Sequence, residues 1–268
     1  MTDRRIFIIG GISAAGLALS GCEKLKKTAE DAAILLNPGK GSKRWPNYRY
    51  RLTVEVDTPE GVKTGSSVIE VETAMSGPNN IPSPGSLYLR ARGEAVTVDL
   101  GERGLLFALL RSESKEEDWA SGALMTAVPR RTPDELQNLP EGTHRFSFLM
   151  DRLFTMQLNQ EVPLSRKIET GQWKDYKPVL IDNFPIMVKF GDLSLPKTVK
   201  RVDADNLAES FGKGVKLKSV TIARTETAMT KEIVNRLPWL RSLSDYRTDK
   251  TNPFTNTLPN EIGYLVRK

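Results

Sequence analysis

Two side chains bound what chemistry this sequence can do, because each is alone of its kind: Cys22 and His144 are the one cysteine and the one histidine of 268 residues. Hydrolases of the Ser-His-Asp or Cys-His type need a histidine as general base beside the nucleophile. His144 follows the turn-like run Glu141-Gly142-Thr143, and no serine stands in a G-x-S-x-G elbow. It reads as a surface or capping residue. One histidine and one cysteine cannot assemble the zinc sites built from those ligands, so no metal site is expected. Carboxylates remain open, since there are 33 Asp and Glu and a glycoside hydrolase needs only two, roughly 5–10 Å apart. Yet Asp57, Glu70, Glu72 and Asp99 fall on polar strand faces, and no acid stands in an apolar run that would raise its pKa. Asp203-Ala204-Asp205-Asn206 opens like a calcium loop but lacks the glycine. Gly39-Lys40-Gly41-Ser42-Lys43 lacks the spacing of a phosphate-binding loop. No cofactor is expected.

The place of Cys22 matters more than its number. Arg4 and Arg5 form a basic start, residues 6–19 are apolar and uncharged, and small residues lead up to the cysteine. That is the layout of a secretory signal peptide, and the apolar run is shorter than the roughly 20 residues of a membrane-spanning helix. A secreted domain relying on disulfides would carry an even set of cysteines; here no intrachain disulfide can form. Leu19-Ser20-Gly21-Cys22 resembles the lipobox of bacterial lipoproteins at all four positions. The resemblance implies a diacylglyceryl thioether on Cys22, cleavage between Gly21 and Cys22, and an acyl chain such as palmitate on the new amine. Two or three chains hold a protein on a membrane where one does not. Arg4-Arg5-Ile6-Phe7 is similar to the core of a twin-arginine export signal, with Asp3 in place of the usual Ser or Thr; an ordinary basic start is at least as good a reading. Glu23 after the cysteine, by the same resemblance, favours the outer membrane, facing the periplasm. Residues 22–46 then read as a lipidated tether, with Lys24, Lys26 and Lys27 beside the lipid.

The remaining chain is long enough for one large domain or two small ones, at about 100–200 residues each. The net charge of +6 is spread without a dense run, so nucleic acid is not an expected partner. Residues 48–57 alternate strictly, Tyr48, Tyr50, Leu52, Val54 and Val56 one way and charged or polar residues the other, which predicts a half-buried strand. Thr58-Pro59-Glu60-Gly61 is a turn, and residues 66–73 return with Ile69 and Val71 inward. Residues 87–92 and 94–100 predict further strands, and 105–110 (LLFALL) predicts one buried on both sides, completing a meander of about five. A helix is expected near 115, another over 144–158, short strands over 179–181 and 185–190, and a helix over 204–211 capped by Asp203. Residues 215–225 predict a long strand whose alternation changes phase, hence a bulge near Lys218. Thr230 is expected to cap a helix ending before Pro238, with residues 244–268 a polar tail.

These elements predict an α+β fold, mainly antiparallel sheet in meanders and hairpins with a few short helices. Its domain would span 47–243, divisible into halves at 47–112 and 176–243, after a signal peptide over 1–21. Residues 50–72, 93–101 and 211–222 resemble a group of uncharacterised alphaproteobacterial envelope proteins, which implies the compartment and no activity. Trp173 and Tyr176, with Lys174 and Lys177 beside them and Phe184 beyond, form an aromatic group suited to stacking on a sugar or partner surface, although core packing is the default. Trp239 reads as a helix-end anchor. The expectation for function is therefore a membrane-anchored, non-catalytic binding or structural module meeting an envelope protein or cell-wall glycan. A carboxylate-dependent hydrolase of envelope glycan and a carrier of small hydrophobic ligands are the alternatives.

Overall fold

The computed structural model describes residues 45–75, 87–113, 119–129, 147–169, 180–241 and 263–267. The chain divides into two units, residues 1–44 with 74–88 and residues 45–73 with 89–268. The described part is almost entirely the second, and its architecture is α+β with antiparallel sheet dominant. Strand β1 (Tyr48–Thr58) and β2 (Gly61–Met75) form the predicted hairpin about Pro59-Glu60, and β2 is longer at both ends than the alternation implied. Next come β3 (Leu87–Glu94), β4 (Val96–Asp99), β5 (Leu105–Ser112), helix α1 (Trp119–Thr126) and helix α2 (Ser147–Thr155). Short strands β6 (Val162–Pro163), β7 (Lys167–Glu169) and β8 (Leu180–Asp182) precede β9 (Pro185–Phe190) and β10 (Val199–Val202). Helix α3 (Leu207–Phe211), β11 (Lys216–Thr225), helix α4 (Ile233–Arg236) and β12 (Val266–Arg267) complete the order.

The strands do not make one five-stranded meander. A first sheet runs β12-β3-β2-β1-β11-β6, a second β10-β9-β5-β4, and β7-β8 stand as a pair. The break falls at Ala95, between β3 and β4. The reason lies in β5, whose residues 106–110 are all fully buried, so it must be covered on both faces. One face of β5 and β4, carrying Val96, Val98, Leu106 and Ala108, lies on the side of the first sheet, where Tyr50, Leu52, Val54, Ile69 and Ile222 are completely buried. The other face, Phe107 and Leu109 with Ile186 and Val188 of β9, packs under Ile233, Leu237, Leu240 and Leu265. Both sheets join strands from the halves 47–112 and 176–243, through β1 with β11 and β5 with β9, so those halves are not separable.

The two sheets approach closely at Gly65, which sits opposite Val54. A Cβ there would lie 2.1 Å from the Thr97 carbonyl oxygen, far inside contact distance. Gly65→Ala should therefore force β4 off the first sheet and cost about 1–3 kcal/mol of stability, measured by denaturant unfolding. A cost below a few tenths would mean that the sheets yield freely at this point.

Local devices are partly as the sequence implied. Glu55 pairs with Ser219 and Val56 with Leu217, leaving Lys218 as the extra residue of the predicted bulge. Helix α1 is buried on nearly every side, and its first carbonyls accept hydrogen bonds from two phenols, Tyr50 to Ala120 at 2.7 Å and Tyr48 to Ser121 at 3.0 Å. Burial pushes both phenols above their ordinary pKa, and for Tyr50 the neighbouring Tyr48 adds to it. The two expected caps are not caps. Asp203 Oδ1 accepts the Asp205 N–H in a turn, and α3 begins only at Leu207 after Asn206. Thr230 is instead fastened to β2, its hydroxyl accepting the Val68 N–H at 3.1 Å and its own N–H donating to the Val68 carbonyl. The expected tail is also corrected at its end: residues 263–267 return to the body, Leu265 is fully buried, and β12 pairs with β3. Residues 242–262 lie outside the described residues.

Candidate functional site

The expected site residues divide by where they fall. Arg4, Arg5, Gly21, Cys22, His144, Trp173, Lys174, Tyr176 and Lys177 lie outside the described residues. Of the aromatic group only Phe184 is seen, half-buried beneath the Arg166 guanidinium, which is 5.6 Å from its ring centroid. Trp239 is an anchor as expected: its ring packs at 5.8 Å on Phe190, and its Nε1 donates to the Leu193 carbonyl at 2.7 Å.

Several of the described carboxylates are engaged in cross-strand and cross-loop pairs. Glu70 receives Arg49, Glu72 receives Arg92 at 3.0 Å, and Asp99 receives Arg236 at 3.4 Å. Glu55 is met by Lys218 at 3.3 Å and by the Ser219 hydroxyl at 2.9 Å, and the hydroxyl with the lysine holds its pKa below the usual range. Arg166 bridges Asp182 and Asp205 beside Lys167. The two hydrogen bonds from Arg103 hold Glu60 down at about 2. Because that pKa is lowered, the stabilisation is present above the ordinary carboxylate range and is lost as pH falls toward 2. Glu55 and Glu60, held ionised in this way, are poor proton donors at neutral pH. Among the described residues no group of three His, Cys, Asp or Glu could hold a metal ion.

One acid was not legible as special in the sequence. Glu94 is 6% exposed, and its carboxylate accepts the N–H groups of Glu232 at 2.8 Å and Ile233 at 3.0 Å. It supplies the N-terminal acceptor of α4 that Thr230 was expected to provide. Its oxygens are thus spent on a structural task. The Glu94 carbonyl also accepts the Ser67 hydroxyl, which contacts Thr230 Oγ1 at 2.8 Å, so β2, β3 and the approach to α4 are tied at one point.

The feature with the clearest unspent surface is the connection between β9 and β10, residues 191–198 (GDLSLPKT). Asp192 Oδ1 accepts both the backbone N–H and the hydroxyl of Ser194, which hold its carboxylate below the usual range. The Thr198 hydroxyl accepts the Asp192 N–H and contacts the Asp192 and Leu195 carbonyls. Backbone bonds from Gly191 to Thr198, Leu195 to Asp192 and Thr198 to Leu195 close the loop. This network uses the backbone of the leucines and not their side chains: Leu193 is 38% exposed and Leu195 53%. Exposed Lys197 follows directly, and Lys200 of β10 stands opposite Lys189 of β9. The signal that could have found it is the Asp-x-Ser pair ahead of Pro196, which ends the alternation and makes a turn of what reads as a strand.

Among the described residues no helix is long and apolar enough to cross a membrane. Compared with models of known protein families, with curated proteins and with solved structures, the chain matches none.

Proposed function

We propose that this chain is a lipid-anchored binding module of the bacterial cell envelope, held on a membrane through Cys22 and acting by contact. The anchor reading is supported by Leu19-Ser20-Gly21-Cys22 behind a basic and apolar leader. The contact reading rests on one observation, the 191–198 loop, built by its own hydrogen bonds and displaying two leucines that the fold does not use. Exposed apolar groups on a pre-organised element mark interaction sites, because ordering costs are already met before binding. Neither the glycan-hydrolase nor the ligand-carrier alternative gains a supporting observation among the described residues.

The test is the mass of full-length protein extracted in mild detergent from a bacterial host. A triacylated species beginning at Cys22 is expected. An intact precursor retaining residues 1–21 without acyl chains would overturn the anchor. Cys22→Ser should move the protein from the membrane to the soluble fraction after export, with at least a tenfold fall in membrane-bound material, read by immunoblot of fractions.

A further inference from the structure

The partner of the 191–198 loop can be named from its chemistry. We infer that the loop is a membrane-contact element: Leu193 and Leu195 enter the acyl boundary of an anionic bilayer while Lys197 and Lys200 meet its phosphate headgroups. The inference rests on the anchored reading above and adds a second attachment to it.

Three observations favour lipid over protein. The loop's polar groups are already spent. The Asp192 carboxylate, the Ser194 and Thr198 hydroxyls, the Trp239 indole N–H and the N–H groups of Gly191, Leu195 and Thr198 all bond within the protein. The neutral groups of the loop can therefore approach lipid at little cost, while the exposed, ionised Asp192 carboxylate stays at headgroup level as the leucines dip in. A protein interface instead uses about one hydrogen bond per 100–200 Å², and this tip offers few.

The charge is also complementary to anionic lipid. Residues 189–201 carry Lys189, Lys197, Lys200 and Arg201 against the single acid Asp192. Lys189 and Lys200 face each other across the ladder, an arrangement that like charges disfavour and a negative surface relieves. Lys189 donates to the Ser210 carbonyl at 2.6 Å, and Arg201 pairs with Glu113 at 3.0 Å. Lys197 and Lys200 are exposed and make no ion pair among the described residues, which leaves them facing headgroups.

The third observation is Trp239. Half-buried, it props the loop from beneath, an amphipathic ring of the kind that sits at the lipid–water boundary. Two partly inserting leucines would bind weakly alone. On a chain already tethered to the membrane the contact is intramolecular, and weak affinity is enough to populate it.

The experiment uses the full chain with Cys22→Ser, so that no lipid is attached, and sedimentation with vesicles of phosphatidylglycerol and phosphatidylcholine or of phosphatidylcholine alone. Binding to the anionic vesicles is expected, falling with salt. The variant L193S/L195S in the same background should bind roughly tenfold or more weakly. An unchanged circular dichroism spectrum and melting temperature would show that the variant folds. K197Q/K200Q should weaken the preference for anionic over zwitterionic vesicles, the remainder lying with Lys24, Lys26 and Lys27. Equal binding by the folded leucine variant overturns the inference. Absence of vesicle binding by the parent chain, at lipid concentrations that reveal even about millimolar affinity, overturns it too, while leaving the anchor to stand or fall on the mass of the Cys22 species. Loss of a co-purifying envelope protein in the leucine variant, with vesicle binding unchanged, would assign the loop to a protein partner instead.

Discussion

Glu94→Ala should lower the free energy of unfolding by about 3–5 kcal/mol. Two hydrogen bonds from backbone N–H groups to a carboxylate, each worth about 1.5–3 kcal/mol, disappear together. The Glu232 and Ile233 N–H groups at the start of α4 then have no acceptor in a site from which water is largely excluded. The loss also releases the helix that covers Phe107 and Leu109, since Ile233 and Leu237 belong to that cluster. Glu94→Gln keeps one acceptor and the volume, so it should cost about half as much. Denaturant unfolding followed by tryptophan fluorescence measures both, with the slope expected to stay constant if only stability changes. An alanine variant within 1 kcal/mol of the parent would mean that the carboxylate does not hold α4, and Glu94 would return as a buried acid in need of another role.

Removal of residues 263–268 should have a larger effect still, about 4–6 kcal/mol, enough to abolish a cooperative transition at 37 °C in a domain of ordinary stability. The deletion takes fully buried Leu265 from the cluster, a loss of about 2–5 kcal/mol when a leucine side chain is cut back in a core. It leaves the Ala95 N–H, which donates to the Leu265 carbonyl at 2.8 Å, without its partner. Arg111 loses the Tyr264 ring, 4.7 Å below its guanidinium, and the hydroxyl it donates to at 2.9 Å. Leu265→Ala alone should cost about 3 kcal/mol and keep a two-state melt. A truncated chain that melts with the parent would show that these residues only rest on the surface.

What could be read in the sequence was local. The β1–β2 hairpin follows from alternation and a Pro-Glu turn, the bulge at Lys218 from a change of phase, and the burial of β5 from an unbroken apolar run. Each signal lies within a dozen residues of what it specifies. Partners remote in the chain decided the rest. Glu94 looks like one more acid between a glycine and an alanine, because the N–H groups that need it lie 138 and 139 residues later. Asp203 and Thr230 have good capping side chains, yet one closes a turn and the other is claimed by β2. The 244–268 stretch is polar enough to read as a tail, and five residues near its end are nevertheless held because Leu265 packs in one cluster with Phe107, Leu109, Ile233 and Leu237. Leu193 and Leu195 carry no sequence mark of exposure, because leucines two apart suit a buried strand face as well as a loop.

The order in which the sheets are strung has a consequence for how the molecule comes into being. β1 lies between β2 and β11, with Arg49 opposite Thr225, and β3 is closed by β12, with Glu94 opposite Val266. A chain emerging from the ribosome can close the first hairpin early, but an isolated hairpin is marginal in water. The central sheet must wait for residues 216–225, and the second core for Leu265. Most of the rewarding contacts are therefore non-local, which slows folding and leaves the growing polypeptide without a native core for most of its synthesis. The native structure is thus committed late, by the last strands to arrive.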